Sequence, residues 1–360
     1  MKRTIQIIFL TTFIIFIFLP IFFFNFTQTI SQQENRALAA KPVFIKDMRL
    51  NANLFAECDK YFQDRFGFRE QLIYINKSNS FKVEQSIFNK KAIAGKEGWY
   101  FYLADENLKD FLKRNLLTSA QIEEFSNNVQ KAVDWCKEQN IPCVFLICPN
   151  KHSVYEEFYP FARPEGATRT DQITKVFEEL HVPYIFPHDY LISQKPEFNY
   201  PLYIETDTHW NPQGAYLAST LLREKFESIF SNINFPQIEY KTEVAYGPSL
   251  SDLPPMLGIE EQNNTQIKTL PIGHNNYYTY IKNDGMDGIH TQGADKNLPR
   301  ALIYHDSFFT ALEPFVSPLF SEAEYIWKQF REEDKEYVLQ YKPDIIIFEA
   351  VERYAPTIVQ

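Results

Sequence analysis

Apolar positions in this chain follow two patterns, short continuous runs and stripes at helical spacing, which alternate along most of its length. Continuous runs of roughly four to eight residues are typical of strands buried on both faces, and stripes are typical of amphipathic helices. They predict strands over 142–148, 182–186, 300–304 and 344–348, and helices over 118–139, 170–180, 212–226 and 308–319. Strands alternating with helices predict an α/β fold, with a mostly parallel sheet and helices on both faces.

Two regions depart from this alternation. Over 235–298 the periodicity is lost and Pro, Asn, Gly and Tyr accumulate, which predicts an irregular or β-hairpin insertion over the active face. Residues 54–83 have apolar positions near helical spacing with a break at Gly67, which predicts two short helices packing a stalk onto the main domain. Gly95 and Gly98 bracket a turn that leads into an aromatic-rich strand.

The N-terminus has the pattern of a membrane anchor. Lys2 and Arg3 precede an uncharged apolar run over 5–24, long enough to cross ~30 Å of hydrocarbon as a helix. A cleaved signal peptide usually has a shorter apolar region and a nearby cleavage site, whereas the small-x-small triplet at 37–39 lies well beyond this run. We therefore expect an uncleaved anchor over 1–27, with the rest of the chain periplasmic or extracellular.

These patterns divide the chain into three parts. We expect a transmembrane signal-anchor over 1–27, a stalk and helical N-terminal extension over 28–94, and an α/β domain over 95–360. The stalk is indicated by a polar, proline-punctuated segment that follows the anchor.

Composition excludes some functions and leaves others open. The formal net charge is −10, which excludes a nucleic-acid role because phosphate binding needs a basic face. The four cysteines show no metal-ligand spacing and are interpreted as buried thiols, with one disulfide in an oxidising compartment as the alternative. They are Cys58, Cys136, Cys143 and Cys148.

The sequence DTHW, at 207–210, places an acid and an imidazole directly before a predicted helix. In an extended segment, positions i and i+2 point to the same side, so Asp207 and His209 are expected to share a face. The alternative is that Asp207 caps the helix and His209 is a surface residue. A second polar site favours chemistry over capping.

That second site is Ser307, where the predicted strand over 300–304 meets the next helix. Ligands of open parallel sheets bind at the carboxyl ends of strands, and free N–H groups at a helix start can donate to an oxyanion. Alone, Ser307 is better explained as a helix N-cap. Together, Ser307, His209 and Asp207 supply a nucleophile, a base and the group that fixes the tautomer of the base. We predict a Ser-His-Asp triad.

Eight segments of the chain, taken in order, resemble one family. They are ENRALAAKP, YFQDRFGFREQLI, GKEGWYFY, CPNKHSVYEEFYP, DTHW, SDLPPMLG, YHDSFFTALEPF and KPDIIIFEAVERY. Together they look like the AlgX/AlgJ-type alginate O-acetyltransferase family, also called DHHW proteins, which have an SGNH-hydrolase-like domain. The resemblance covers nearly the whole chain beyond the anchor and implies a three-layer α/β/α fold.

Carried over residue by residue, the family's acid, base and nucleophile fall on Asp207, His209 and Ser307. His305 stands where the GDS motif of SGNH hydrolases has Gly. The resemblance implies O-acetylation of an exported polysaccharide at the outer membrane surface, without identifying the polymer. Because acetyl-CoA does not diffuse outside the membrane, it also implies a membrane-embedded partner that passes acetyl groups across. No cofactor and no metal are expected.

Several residues near these motifs are candidates for supporting roles. The Ser307 N–H and the side-chain amide of Asn150 are expected to stabilise the oxyanion, with an Asx-turn as the alternative for Asn150. Lys151 and Tyr155 are expected to line the cleft and contact the glycan.

Two other candidates have a competing structural interpretation. Trp210 is expected to stack on a sugar ring, with packing beside the helix start as the alternative. Arg353 is expected to bind a hydroxyl or carboxylate of the glycan, with an ion pair to Glu349 or Glu352 as the alternative.

Three rival functions stay open at this stage. An acetyl esterase would use the same triad with water as the acceptor, and a glycan-binding or assembly protein would carry a vestigial triad. A metal site built on Asp207, His209 and His305 is the third alternative.

Overall fold

The computed structural model describes residues 18–31, 36–46, 49–73, 91–248, 250–259, 263–272, 277–285 and 288–360, together with residues 10, 13, 15 and 34. The chain divides into two compact units. The first comprises Met1–Ile93 and Leu250–Gln262, and the second comprises Ala94–Ser249 and Asn263–Gln360. All residues of the predicted triad belong to the second unit.

The strands and helices are numbered in chain order. The strands are β1 (Ile30–Ser31), β2 (Arg36–Ala37), β3 (Ile45–Lys46), β4 (Arg49–Leu50), β5 (Ala92–Ala94), β6 (Tyr100–Tyr102), β7 (Cys143–Cys148), β8 (Tyr184–Ile185), β9 (Tyr240–Pro248), β10 (Asn263–Pro271), β11 (Tyr278–Asn283), β12 (Ile289–Gly293), β13 (Arg300–Tyr304), β14 (Glu322–Ile326) and β15 (Ile345–Val351). The α-helices are α1 (Leu54–Arg65), α2 (Asn107–Phe111), α3 (Ser119–Glu138), α4 (Lys151–Val154), α5 (Arg169–Glu179), α6 (His188–Gln194), α7 (Pro212–Ile229), α8 (Leu253–Leu257), α9 (Glu313–Val316) and α10 (Lys335–Tyr341). Short 3-10 helices span Glu156–Phe158, Lys195–Glu197, Ser307–Ala311, Ser317–Leu319, Glu332–Asp334 and Glu352–Thr357.

One seven-stranded mixed sheet organises the second unit, in the order β11-β12-β14-β13-β15-β7-β8. The strands from β14 to β8 in this order are parallel to one another, whereas β12 pairs antiparallel with β14. At the other edge, β11 and β12 pair antiparallel. The predicted mostly parallel sheet is therefore a mixed one, because strands from the region predicted as irregular extend it.

Both faces of the sheet are covered. On one face, Phe145 and Phe348 pack with the buried sides of α3 and α5 in a single core cluster. On the other face, Ile303 and Ile347 are fully buried as well. Burial on both sides is typical of a layered α/β domain, in agreement with the predicted fold class.

Helix α3 begins as its sequence predicts. The Thr118 hydroxyl accepts the Gln121 N–H at 3.3 Å, and the Gln121 side chain accepts the Thr118 N–H at 3.0 Å. This capping box satisfies N–H groups that the first turn leaves unpaired. The apolar stripe of Phe125, Val129 and Val133 is buried in the core.

The continuous helix predicted over 308–319 is wrong. The segment consists of a 3-10 helix, the four-residue helix α9 and a second 3-10 helix. Pro314 and Pro318 account for the breaks, because a proline inside a helix lacks the N–H donor and clashes with the preceding turn.

Most of the described residues over 235–298 form strands, with the short helix α8 between β9 and β10. β9 and β10 make a long antiparallel ribbon, with Tyr240 opposite Pro271 and Pro248 opposite Asn263. β11 and β12 follow it into the main sheet. The β-hairpin alternative for this region is therefore the correct one.

In the first unit, helix α1 carries a network of charges. Asp64 accepts the Ala39 backbone N–H at 2.7 Å and the Arg36 guanidinium at 2.9 Å. Arg69 pairs with Glu34 at 2.7 Å. The hydrogen bond from Arg36 is the main cause that lowers the pKa of Asp64 to about 2. These charges organise the segment that was predicted as a stalk.

Two predictions for the N-terminal part extend beyond what the structure describes. Among the described residues, no helix is both long and apolar enough to cross a bilayer. Residues 1–9, 11, 12, 14, 16 and 17 of the predicted anchor lie outside those residues. So do residues 74–90, on which the second predicted stalk helix largely falls. The anchor and that helix stay predictions.

Candidate active site

Asp207, His209 and Ser307 form one hydrogen-bonded chain. Ser307 Oγ lies 2.8 Å from His209 Nε2, and His209 Nδ1 lies 2.6 Å from Asp207 Oδ1. Because Nδ1 faces a carboxylate, the imidazole carries its proton there and presents the Nε2 lone pair to the serine. The structure thus brings together the three residues predicted from two distant segments.

A closed loop holds Asp207 and His209. Tyr203 and Trp210 form an antiparallel bridge at the base of the loop, and the Ile204 N–H donates to the His209 carbonyl at 3.1 Å. Asp207 Oδ1 also accepts the backbone N–H of His209 at 3.0 Å. The extended geometry assumed from the sequence is wrong, but the acid and base still meet because the loop turns them towards each other.

Lys151 holds this loop in place. Its ammonium donates to the carbonyl oxygens of Ile204, Glu205 and Asp207, at 3.1, 3.0 and 2.5 Å. The residue is only 4% exposed. The ammonium has three N–H groups, and the three carbonyl oxygens accept all of them. No N–H group of Lys151 therefore remains to donate to a sugar. The glycan contact predicted for Lys151 does not fit this position.

The β9–β10 ribbon contacts the same loop. Thr265 Oγ1 donates to Glu205 Oε1 at 2.7 Å, and the Asn264 amide donates to the Thr206 hydroxyl at 2.6 Å. The predicted insertion therefore lies beside the loop that carries the acid and the base.

Helix α7, directly after the loop, has its own N-cap. Asn211 Oδ1 accepts the N–H groups of Gln213 and Gly214, at 3.0 and 3.1 Å. Gly214 also allows a close approach of the chain, since a Cβ at this position would lie 2.3 Å from the Leu202 carbonyl oxygen. The alternative in which Asp207 caps this helix is wrong.

Asp306 builds the turn that presents Ser307. Its Oδ1 accepts the Phe308 N–H at 2.9 Å, and its Oδ2 accepts the Val351 N–H at 2.8 Å. Its backbone N–H donates to Glu349 Oε2 at 2.8 Å. Asp306 is therefore the N-cap of the following 3-10 helix. The N-cap alternative for Ser307 is wrong, and its hydroxyl contacts the imidazole instead.

Trp210 joins the two segments that carry the triad. Its indole N–H donates to the Phe308 carbonyl at 3.0 Å, and the two rings pack edge to face at 5.6 Å. The side chain is 1% exposed, so its face is not available to a sugar. The packing alternative for Trp210 is the correct one.

Two donors suited to an oxyanion follow the carboxyl ends of two strands of the main sheet. Asn150 follows β7 and Ser307 follows β13, with β15 between the two strands. Among the described residues, the Asn150 amide nitrogen is buried without a partner, and the Ser307 backbone N–H has no acceptor. An unpaired buried donor such as the Asn150 amide costs on the order of 1–3 kcal/mol, and a developing oxyanion would accept hydrogen bonds from both groups.

Tyr155 has a packing role in the structure. Its hydroxyl oxygen accepts the Leu202 N–H at 2.7 Å, and its ring stacks on Trp99 at 4.5 Å. The residue is buried. The glycan contact predicted for Tyr155 does not fit this position either.

His305 is also packed into the protein. Its Nδ1 lies 2.8 Å from the Asp306 carbonyl oxygen, and its ring contacts Phe309 and Trp327. Burial lowers the pKa of His305, which favours the neutral ring. Among the described residues, no group of potential metal ligands includes His305. The arrangement of Asp207, His209 and His305 around a metal is therefore not formed.

Arg353 contacts Asn150 instead of an acid. Its Nη1 donates to Asn150 Oδ1 at 3.1 Å. Among the described ion pairs, none joins Arg353 to Glu349 or Glu352, so the ion-pair alternative is wrong. The glycan contact of Arg353 stays a prediction. Three aromatic rings lie within 5.5 Å of its guanidinium carbon, those of Tyr102, Phe308 and Tyr354.

Sequence reasoning missed two acids that support the site, Asp306 and Glu352. The buried Glu352 accepts the Asn150 N–H at 2.9 Å and the Ser153 hydroxyl at 2.6 Å through Oε2, and the Thr170 hydroxyl at 3.1 Å through Oε1. The available signal was an acid within two residues of the end of each of two apolar strands, where ligands of parallel sheets bind.

The Ser-His pair is partly exposed to solvent. The His209 side chain keeps 28% of its surface exposed. A separate cavity of about 590 Å³, lined in part by Arg163, His188 and Glu352, contains none of the triad residues. The triad therefore lies outside this cavity, with part of the imidazole in contact with solvent.

Solved structures of other proteins are similar to this chain. PatB1 of Bacillus cereus with a sulfonyl adduct is similar at a TM-score of 0.55 and 16% identity, over 76% of this chain and 98% of that one. A DHHW family protein from Eubacterium siraeum has a TM-score of 0.50 and 16% identity, over 76% and 94%. The O-acetyltransferase domain of Pseudomonas putida AlgJ has a TM-score of 0.49 and 19% identity, over 74% and 92%. No curated protein sequence matches the chain significantly.

A family profile matches more directly. The profile described as the SGNH hydrolase-like domain of the acetyltransferase AlgX matches residues 92–282 of the 360-residue chain. The match includes Asp207 and His209 and ends before Ser307, so the assignment of the serine rests on geometry. Because the profile covers more than half of the chain, the protein belongs to the family of AlgX-type SGNH hydrolase-like acetyltransferases.

Proposed function

We propose that this protein transfers acetyl groups to hydroxyl groups of an exported polysaccharide through an acyl-enzyme on Ser307. The observation that carries the proposal is the 2.8 Å contact between Ser307 Oγ and His209 Nε2, with Asp207 on the other ring nitrogen. Family membership supports acetyl as the transferred group and a polysaccharide as the acceptor.

In the first step, Ser307 Oγ attacks the carbonyl carbon of an acetyl donor while His209 Nε2 takes the serine proton. The negative charge that develops on the carbonyl oxygen is stabilised by the Ser307 N–H and the Asn150 amide. The intermediate then collapses, the bond to the leaving group breaks, and the leaving group takes the proton from His209. An acetyl ester of Ser307 remains.

In the second step, a hydroxyl group of the glycan replaces the leaving group. It gives its proton to His209 as its oxygen attacks the acetyl carbon, and the Ser307 oxygen leaves and recovers that proton. The Asp207 carboxylate stabilises the imidazolium in both steps. The exposed side of His209 is where the polymer approaches.

The same proposal includes the source of the acetyl group. Acetyl-CoA is confined to the cytoplasm, so a domain acting outside the membrane needs a membrane-embedded protein that passes acetyl groups across. An anchor over 1–27 would keep the domain at the membrane surface beside such a partner.

The function is tested with the full-length protein purified in detergent. The donor is p-nitrophenyl acetate, and the acceptor is the cell-surface polysaccharide prepared from a deletion strain. We expect new acetyl esters on the polysaccharide, detected by mass spectrometry. Free acetate without such esters would assign the protein to the esterases that use the same triad.

Replacement of the nucleophile is the companion test. Ser307→Ala is expected to lower turnover at least about a thousandfold, because no acyl-enzyme can form. The matched control is Ser228→Ala, at an exposed serine whose hydroxyl bonds only the Lys225 carbonyl, and it is expected to keep full activity. If the polysaccharide of a Ser307→Ala strain is still acetylated, the proposal is wrong.

A further inference from the structure

The end of β15 holds the ends of both neighbouring strands. On one side, the Val351 N–H donates to Asp306 Oδ2 at 2.8 Å, in the turn before the nucleophile. On the other side, Glu352 accepts the Asn150 backbone N–H at 2.9 Å, and Arg353 donates to the Asn150 side chain at 3.1 Å. Three consecutive residues therefore set the position of Asn150 relative to the nucleophile turn.

Arg353 determines which way the Asn150 amide faces. A guanidinium only donates hydrogen bonds, so the side-chain atom of Asn150 that faces it must be the carbonyl oxygen. The amide nitrogen then points away from Arg353, and among the described residues it is buried without an acceptor. A cation on the amide oxygen also polarises the amide and strengthens its N–H as a donor.

Aromatic rings, and not a carboxylate, hold Arg353 in place. Its guanidinium carbon lies 5.5 Å from the ring centres of Tyr102 and Phe308 and 5.0 Å from that of Tyr354. Both tyrosine hydroxyls donate to Asp105 Oδ2, at 2.9 and 2.5 Å. Asp105 has a φ of 52°, a left-handed backbone conformation that is uncommon for residues other than glycine and is often kept at functional sites.

We propose that Arg353 is a positioning residue, which orients and polarises the Asn150 amide so that its N–H donates to the oxyanion formed during attack by Ser307. This inference rests on the proposed acyl transfer. Arg353 does not touch the reacting atoms and acts only through Asn150. It therefore contributes to the formation of the acyl-enzyme, before any glycan takes part.

The test is a double-mutant cycle on the full-length protein, with p-nitrophenyl acetate hydrolysis as the readout and no polysaccharide present. Asn150→Ala is expected to lower kcat by about 100- to 1000-fold. Arg353→Met is expected to lower kcat by about tenfold with little change in KM, because the lost interaction exists only in the transition state. The double variant is expected to be no slower than Asn150→Ala.

Two results would overturn the inference. If Arg353→Met slows the Asn150→Ala protein by the same factor as the wild type, Arg353 acts independently of Asn150. If Arg353→Met leaves ester hydrolysis unchanged, Arg353 does not act on the oxyanion. A fall in transfer to the polysaccharide, measured separately with the acceptor present, would then make Arg353 a glycan ligand.

A separate measurement checks that each variant is folded. Thermal unfolding is measured for every variant, with Arg223→Met on α7 as the matched control, where the arginine pairs only with Glu227 at 3.7 Å. If Arg353→Met does not fold, Arg353→Lys takes its place in the same cycle, since it keeps the charge but not the guanidinium geometry. Failure of the proposed function can be told apart from failure of this inference. If the proposed function is wrong, Ser307→Ala hydrolyses the ester as fast as the wild type.

Discussion

The indole N–H of Trp210 lies 3.0 Å from the carbonyl oxygen of Phe308, so a buried hydrogen bond joins the residue after His209 to the residue after Ser307. The base and nucleophile are separated by 98 positions in the chain. Their contact is partly exposed and weak in water, whereas the contact between their neighbours is protected from solvent. Trp210 and Phe308 therefore maintain the distance between the imidazole and the hydroxyl.

Trp210→Phe tests this relationship. The aromatic packing is largely kept, but the Phe308 carbonyl loses its donor, which costs about 1–3 kcal/mol of folding free energy. We expect a lower Tm and a fall in ester hydrolysis of about tenfold, because a small displacement of the serine disturbs proton transfer. Trp135→Phe, at a half-buried residue of α3 that packs on Phe330, is the control. Equal kcat and Tm in the Trp210 variant and the wild type would contradict the interpretation.

The strands that lie in the middle of the sheet could be predicted from the sequence because their burial is complete. The run over 300–304 coincides with β13, and the run over 142–148 contains β7. Apart from Arg300 at the start of β13, both strands are apolar, since helices cover both faces. The strand β14, between β12 and β13, has the sequence EAEYI. Charged and apolar residues alternate in it, so no apolar run marks it.

The triad could be predicted from its position in the chain, but the contacts of the polar residues around it could not. The serine follows a strand, and the Asp-x-His precedes a helix. Both are junctions between elements, and ligands of open parallel sheets bind at the carboxyl ends of the strands. Whether a polar residue near the triad points to solvent or into the protein depends on partners that are far away in the chain. Lys151 meets carbonyl oxygens 53 to 56 positions away, and no local pattern predicts that contact.

Lys151→Met distinguishes a loop-holding residue from a glycan ligand. Removing the ammonium leaves the carbonyl oxygens of Ile204, Glu205 and Asp207 without this donor, at a cost of about 3 kcal/mol or more in total. We expect ester hydrolysis and transfer to polysaccharide to fall by the same factor, together with a lower Tm. A glycan ligand would lower transfer alone. Lys131→Met, at an exposed position on α3, serves as the control.

Asp207→Asn tests the role of the acid without changing its shape. An amide cannot stabilise the imidazolium, and it favours the wrong ring tautomer, so kcat is expected to fall by about 10⁴-fold with little loss of stability. The chain contains a matched control in Asp189, which lies 2.7 Å from His188 on the surface and is fully exposed. Asp189→Asn is expected to leave kcat unchanged. A loss below tenfold for Asp207→Asn would exclude Asp207 as the orienting acid.

Glu349→Gln links the nucleophile turn to the pH dependence of stability. Glu349 is buried and accepts the Asp306 N–H. Burial first, and then the negative charge of Asp306, raise the pKa of Glu349 well above its ordinary value. The folded protein therefore holds this proton at a pH where the unfolded chain releases it. Its contribution to stability is complete below the unfolded pKa of about 4.5 and is lost as pH rises towards the folded pKa.

A glutamine keeps an acceptor for the Asp306 N–H and has no proton to lose. We expect Glu349→Gln to match the wild type near pH 4.5 and to exceed it in free energy of unfolding at pH 7–8. Across the window, the two curves should diverge by up to about 1.4 kcal/mol per pH unit. Urea unfolding at several pH values measures this difference. Parallel curves, with the glutamine variant less stable throughout, would mean that Glu349 is ionised in the fold and that its charge stabilises the nucleophile turn.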